Sequence, residues 1–159
     1  MPPKSRKPPA PGTVLAFSAI SGAPSSGERR SIVSRACILV VDDEKLIRWS
    51  LKERLEAAGY RVIEAESGGQ ALELFDTEVD LVLLDLRLPD VDGLSVLKRT
   101  QSLRPGAPVI LMTAYGTPET LREALASGAR RVVSKPFNFD EMLRVITDAL
   151  PSAASHPNR

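Results

Sequence analysis

Cysteine, histidine and net charge are all scarce in this 159-residue chain, and each scarcity removes a class of protein. Cys37 stands alone, so no disulfide can form within the chain. It opens an apolar run, where it reads as a small buried hydrophobe. No apolar stretch approaches the roughly 20 residues that a membrane-spanning helix needs. The one histidine, His156, has no acid or metal-ligand neighbour in sequence and reads as solvated. The formal net charge is only +1, and it is unevenly spread. Residues 1–35 carry six Lys or Arg against the single acid Glu28, which leaves everything from Ala36 onward mildly acidic. An acidic folded part is a poor electrostatic match to nucleic-acid phosphates, so direct nucleic-acid binding is not expected.

What remains is the composition of a globular protein, 43% hydrophobic and 26% charged. The length suits one domain with a full core. Residues 1–35 are rich in Pro, Ser, Gly and Arg without a sustained period, and read as a flexible basic tail. Lys4, Arg6 and Lys7 precede Val14-Leu15-Ala16-Phe17 in the manner of a secretory signal. That apolar piece is too short and is interrupted by Ser18 and Ser21, so export is not expected. Residues 36–150 read as the folded domain and 151–159 as a short C-terminal tail.

From Cys37 the pattern changes to Cys37-Ile38-Leu39-Val40-Val41, a continuous apolar run of the kind found in strands buried on both faces. Four more strands are predicted at Arg61–Glu64, Leu81–Leu84, Val109–Met112 and Arg131–Ser134. Helical patterns lie between them. In the first, Ile47, Leu51, Leu55 and Ala58 share one face and Gly59 ends the helix. The others are expected near Gly69–Phe75, Gly93–Ser102, Pro118–Ala126 and Phe139–Leu150. Thr117-Pro118-Glu119 reads as a capped helix start. Strands alternating with helices in this way predict an α/β fold, a doubly wound parallel sheet covered on both faces. Such sheets place their ligand site beyond the carboxyl ends of the strands, where strand order reverses. The residues there are Asp42 and Asp43 after the first strand and Asp85 after the third.

Three clustered carboxylates repel: two unit charges about 4 Å apart cost roughly 4 kcal/mol at an effective dielectric near 20. Either one carboxylate is protonated or a cation binds, and an all-oxygen donor set suits a hard ion such as Mg²⁺. Beside a metal, an Asp carboxylate becomes an acceptable nucleophile toward phosphorus. The remaining strand ends offer Thr113, a hydroxyl able to bond a phosphoryl oxygen, and Lys135, a mobile cation. Pro136 raises the question of a cis bond.

The segments Ile38-Leu39-Val40-Val41-Asp42-Asp43-Glu44, Leu83-Leu84-Asp85-Leu86-Arg87-Leu88-Pro89-Asp90-Val91-Asp92-Gly93, Met112-Thr113-Ala114-Tyr115-Gly116 and Ser134-Lys135-Pro136-Phe137 resemble the four signature segments of response-regulator receiver domains. The resemblance covers about residues 36–150. It implies a flavodoxin-like sheet of five strands in the order 2-1-3-4-5 with five helices. It further implies that Asp85 is the phosphoacceptor, that Asp43 and the Arg87 backbone carbonyl are direct Mg²⁺ ligands, and that Asp42 assists mostly through water. Thr113 and Lys135 would bind the phosphoryl oxygens. The donor would be a phosphohistidine on a sensor histidine kinase or a histidine phosphotransfer protein, in the cytoplasm, and the chain would catalyse only its own phosphorylation and dephosphorylation.

Within that reading, a terminal switch acting on a downstream protein target competes with a relay that passes the phosphoryl group to a phosphotransfer histidine. A phosphorylation-dependent dimer is among the assemblies the family allows. The last predicted helix ends about ten residues before Arg159, which is read as leaving no room for an output domain. On the first helix Leu46, Ile47 and Ser50 are the expected donor surface; Trp49 points elsewhere, as an anchor or packed on a loop. One position departs from the family: Val132 stands where a Tyr or Phe usually couples to the Thr. Arg87 and Tyr115 occupy variable positions that bear on the lifetime of the phosphoryl group. Rival readings fit less well. A haloacid-dehalogenase-type phosphatase needs an acid two residues after its nucleophile, and that residue is Arg87. A flavin carrier needs a hydroxyl-rich phosphate loop, and Asp42-Asp43-Glu44 would repel the phosphate.

Overall fold

The computed structural model describes residues 35–76 and 78–151. The readings made for residues 1–34 and for His156 lie outside this range. Five strands, β1 (Cys37–Val41), β2 (Arg61–Ala65), β3 (Leu81–Asp85), β4 (Val109–Thr113) and β5 (Arg131–Ser134), alternate with five helices, α1 (Lys45–Ala57), α2 (Gly68–Leu74), α3 (Gly93–Leu103), α4 (Pro118–Ala126) and α5 (Phe139–Ala149). The strands form one parallel sheet in the order β2-β1-β3-β4-β5. This is the flavodoxin-like arrangement expected. Because β1 lies between β2 and β3, the chain winds in opposite directions from it, and a crevice opens above β1 and β3.

Successive side chains of a strand point to opposite faces, and the two cores follow that alternation. Ile38, Val40, Leu81, Leu83, Ile110 and Met112 pack with Leu51 and Leu55 of α1 and Met142 and Ile146 of α5. The alternate residues of the same strands, Leu39, Val41, Val82, Leu84, Val109 and Leu111, pack with Ala71 of α2, Val96 and Leu97 of α3 and Ala124 of α4. All residues of β1, β3 and β4 are buried, which is why those strands are apolar without alternation up to the polar last residues Asp85 and Thr113.

Helix starts are written locally. Ser67, Asp92, Thr117 and Asn138 each accept a backbone N–H of the following first turn. Gly59, with φ of +99°, follows the end of α1 in a conformation that favours glycine. The differences from the predicted boundaries are small and have local causes. Strands β2, β3 and β4 each extend one residue further, because Ala65 and Thr113 still accept ladder-type bonds from Asp42 and Lys135, and Leu86 donates to Met112 across from Asp85. Helix α2 starts at Gly68 because Ser67 is the cap, α3 runs on to Leu103, and α5 stops at Ala149 with Leu150 as its cap. Ala58, assigned to the buried stripe of α1, is exposed: it is the C-cap, where the chain has already turned off the sheet.

Burial separates positions that matter for stability from those that do not. Ile146→Ala removes a fully buried side chain from the α1/α5 core and is expected to cost about 2–5 kcal/mol. Leu46→Ala, at a position 73% exposed, should stay within about 0.5 kcal/mol of the parent. Urea unfolding of both variants checks this.

Candidate functional site

The sheet delivers its chemistry at one edge. Asp42 directly follows β1, Asp85 ends β3, Thr113 ends β4 and Lys135 directly follows β5. In register, Val41 pairs with Leu84, Asp85 with Met112 and Thr113 with Ser134, so the four strand ends lie side by side. Asp42 is fully buried and Asp85 is 6% exposed, while Asp43 stands in solvent at the rim. Carboxylate oxygens of Asp42, Asp43 and Asp85 all lie within 4.8 Å of one another. The predicted acidic trio is therefore assembled.

Lys135 answers part of that charge. Its Nζ donates to Asp42 Oδ2 at 2.8 Å and lies 3.5 Å from both Asp85 Oδ2 and Glu44 Oε1. Burial works against its charge, but the hydrogen bond to Asp42 and the fields of Asp42, Asp85 and Glu44 together outweigh it and hold the ammonium above its ordinary value. For Asp85 the balance goes the other way. Burial first and the Asp42 carboxylate second push its carboxyl up to about 6, against smaller contributions from Lys135 and from the Arg87 N–H, 3.4 Å from Asp85 Oδ1. One ammonium cannot neutralise three carboxylates. The donor set, all carboxylate oxygen with one member open to solvent, fits a hard divalent ion such as Mg²⁺.

Thr113 is 3% exposed, and its Oγ1 accepts the Tyr115 N–H at 3.0 Å. Its hydroxyl proton stays available to a ligand oxygen. The Lys135–Pro136 peptide bond is cis, as the Pro at that position suggested. Arg87 lies with its guanidinium carbon 4.9 Å from the Tyr115 ring centroid, a cation–π contact across the crevice mouth. Beside it a cleft of about 680 Å³ is lined by the β3–α3 and β4–α4 loops, with Arg87, Asp90, Tyr115 and Thr117 on its walls. On α1, Leu46 and Ser50 are exposed and Ile47 is half-buried against the core. Trp49 is 56% exposed.

Three supports escaped the sequence reading. Arg48, one turn into α1, donates from Nη1 to the Asp42 carbonyl at 2.7 Å and pairs with Glu64 of β2 at 3.2 Å, so it fixes the β1–α1 turn from beneath. Asp42 Oδ1 also accepts the Glu44 N–H at 2.9 Å. Gly93 admits no side chain, because a Cβ would lie 2.5 Å from the Asp85 carbonyl oxygen and 2.7 Å from Leu86 Cα. An invitation to look was present in each residue type. The partners, however, come from other elements.

Comparison with known proteins gives one family. Residues 38–147 match the model described as response regulator receiver domain. The chain is 44% identical over 114 residues to regulatory protein AtoC of Escherichia coli K12, covering 71% of this chain and 25% of that protein. It is 40% identical over 115 residues to sporulation initiation phosphotransferase F of Bacillus subtilis, covering 72% of this chain and 93% of that protein. Among solved structures, a CheY-like receiver domain protein of Methanospirillum hungatei superposes with a TM-score of 0.70 at 36% identity, covering 72% of this chain and 93% of that one. The match to AtoC, like those to the ZraR regulators, spans only about a quarter of the relative's length.

The shift of Asp85 makes stability depend on pH. In the ion-free protein the folded chain binds a proton at about 6, where the unfolded chain has already released it near the ordinary carboxyl value. The native state therefore holds more protons in this window, and stability falls as pH rises from about 4 through 6 and then levels off. With a chelator present, thermal melts should show this fall in the wild type and a weaker one in Asp85→Asn, which should also be the more stable of the two at pH 7.5. Equal pH profiles would show that burial and Asp42 do not hold the proton.

Proposed function

This chain belongs to the response regulator receiver domain family, and on that premise we propose that it accepts a phosphoryl group on Asp85 from a phosphohistidine and signals through a protein partner. The observation that carries this reading is the gathering of Asp42, Asp43 and Asp85 within 4.8 Å, with Lys135 Nζ 3.5 Å from Asp85. Asp43, Asp85 and the Arg87 carbonyl would hold Mg²⁺ directly, and Asp42 would assist mostly through water. The bound ion would supply neutralisation of the carboxylate and phosphoryl charge.

The chain's own residues do the rest. An oxygen of Asp85 forms the new O–P bond as the P–N bond of the donor breaks, and the bonding pair departs with the imidazole nitrogen. Lys135 swings from its salt bridge with Asp42 to a phosphoryl oxygen, which its mobile stem permits, and Thr113 donates its hydroxyl to another. The work is mostly positioning and charge compensation. A sensor histidine kinase or a phosphotransfer protein is the donor, with the Leu46, Ile47 and Ser50 surface of α1 next to the crevice as its landing point. The chain transforms no separate substrate.

Phosphorylation adds roughly −1.5 to −2 charges, which must reach a surface to be read. Val132 of β5, half-buried, packs against the α2/α3/α4 core, so no aromatic side chain stands there to swing. A different route is available. A Cβ at Gly116 would sit 3.2 Å from both Thr113 Cγ2 and Leu121 Cδ2, so the methyl of Thr113 and the side chain of Leu121 flank the Gly116 backbone. Movement of Thr113 toward a phosphoryl group thus reaches α4 through the β4–α4 loop. The relay reading has its own support in the likeness to sporulation initiation phosphotransferase F over nearly all of that protein. Return of the phosphoryl group from the modified chain to a phosphotransfer histidine would favour it over a terminal switch.

Incubation with acetyl phosphate and Mg²⁺ followed by intact-mass measurement should give one phosphoryl adduct on the wild type and none on Asp85→Asn. An adduct on the variant would end the assignment. The Arg87–Tyr115 pair shields the crevice mouth from attacking water, so Arg87→Ala and Tyr115→Ala should each shorten the adduct's half-life several-fold, measured by the loss of modified mass with time. Unchanged half-lives would remove that role.

A further inference from the structure

Between Asp85 and Gly93 the chain makes a seven-residue loop, and its two ends are held differently. The base is closed by main-chain contacts: Gly93 N–H donates to the Leu86 carbonyl at 2.8 Å, and Arg87 forms an antiparallel bridge with Asp92. The tip, Pro89 to Val91, reaches across to α2. There Asp90 Oδ1 accepts the Gly68 N–H at 2.9 Å and Oδ2 accepts the Gly69 N–H at 2.8 Å. Oδ1 also takes the Val91 N–H at 3.0 Å, which fixes the carboxylate against its own backbone. Apolar contact reinforces the polar one, since a Cβ at Gly68 would fall 2.5 Å from Val91 Cγ2 and 2.8 Å from Val96 Cγ2. Helix α2 opens with two glycines, and only a residue without a side chain lets the tip of the loop lie this close to its first turn.

We propose that Asp90 is a positioning residue for the Mg²⁺ site: by fastening the loop tip to α2 it holds in place the stretch that carries the Arg87 carbonyl. This inference rests on the receiver reading given above, in which that carbonyl is a metal ligand. Mg²⁺ demands near-ideal ligand placement, and a backbone carbonyl can be placed only by fixing the chain on both sides of it. Upstream, Asp85 is anchored in β3. Downstream, the bridge with Asp92 closes the base but leaves the tip to the Asp90 clamp. The clamp is made of charge-assisted hydrogen bonds, stronger than neutral ones. The two amide donors of Gly69 and Gly68 hold the Asp90 carboxyl below its ordinary value, so it stays ionised across the neutral range.

A purely structural role predicts something else. Asp90 also satisfies two of the unpaired amides at the start of α2, and if that were all, its loss would fray α2 and leave the ion's affinity alone. Isothermal titration of Mg²⁺ into the full chain separates the two. Asp90→Ala should raise the Mg²⁺ dissociation constant about tenfold, the low end for residues that orient a metal ligand. Asp90→Asn keeps an acceptor oxygen and should fall between that variant and the wild type. Phosphorylation by acetyl phosphate should then reach the wild-type rate in both variants once Mg²⁺ saturates. An unchanged dissociation constant in Asp90→Ala, or a lower saturated rate with unchanged affinity, would overturn the proposal. A wild-type chain that binds no Mg²⁺ would instead overturn the proposed metal site of Asp43, Asp85 and the Arg87 carbonyl beneath it.

Discussion

Repulsion among three carboxylates is the constraint around which this molecule is arranged. Asp42 and Asp85 are buried and Asp43 stands beside them, at separations where uncompensated charges cost several kcal/mol. Folding alone does not relieve this. Lys135 neutralises part of it from a third strand, and Asp85 responds with a carboxyl raised to about 6. The remaining imbalance leaves an acidic, all-oxygen cluster of the kind that suits a hard cation.

Holding such a cluster together requires a rigid frame, and the sheet supplies it. Strands β1, β3 and β4 are buried along their whole lengths and clasped by helices on both faces. Their ends therefore cannot spread to separate the charges. The supports around the edge act in the same sense: Arg48 on the Asp42 carbonyl, Glu44 N–H on the Asp42 carboxylate, and Gly93 closing on Asp85. The loops that carry Arg87 and Tyr115 border the cleft, and the first of them is closed at its base and fastened to α2 at its tip.

The matched relatives differ widely in length. Receiver domains occur as part of longer regulators, as in the relatives of which this chain spans about a quarter, and nearly alone, as in the sporulation protein. In this chain Val132 packs half-buried against the α2/α3/α4 core, and the Gly116 backbone lies close to both the Thr113 methyl and Leu121.

Much of this was legible along the chain. Apolar runs without alternation foretold strands buried on both faces, Thr117-Pro118-Glu119 foretold the start of α4, and acids placed directly after apolar runs marked the edge where a doubly wound sheet binds. These features are local: a residue's periodicity and its turn chemistry depend on its immediate neighbours. Ala58 failed for the same reason, since periodicity continues past the point where the chain leaves the helix. The hold of Arg48 on Asp42, the choice of Lys135 for Asp42 over Asp85, the raised carboxyl of Asp85 and the clasp of Asp90 on Gly68 and Gly69 were decided only when distant segments met. Distance, burial and shared charge belong to pairs of residues brought together by the fold, and no single stretch of sequence contains them.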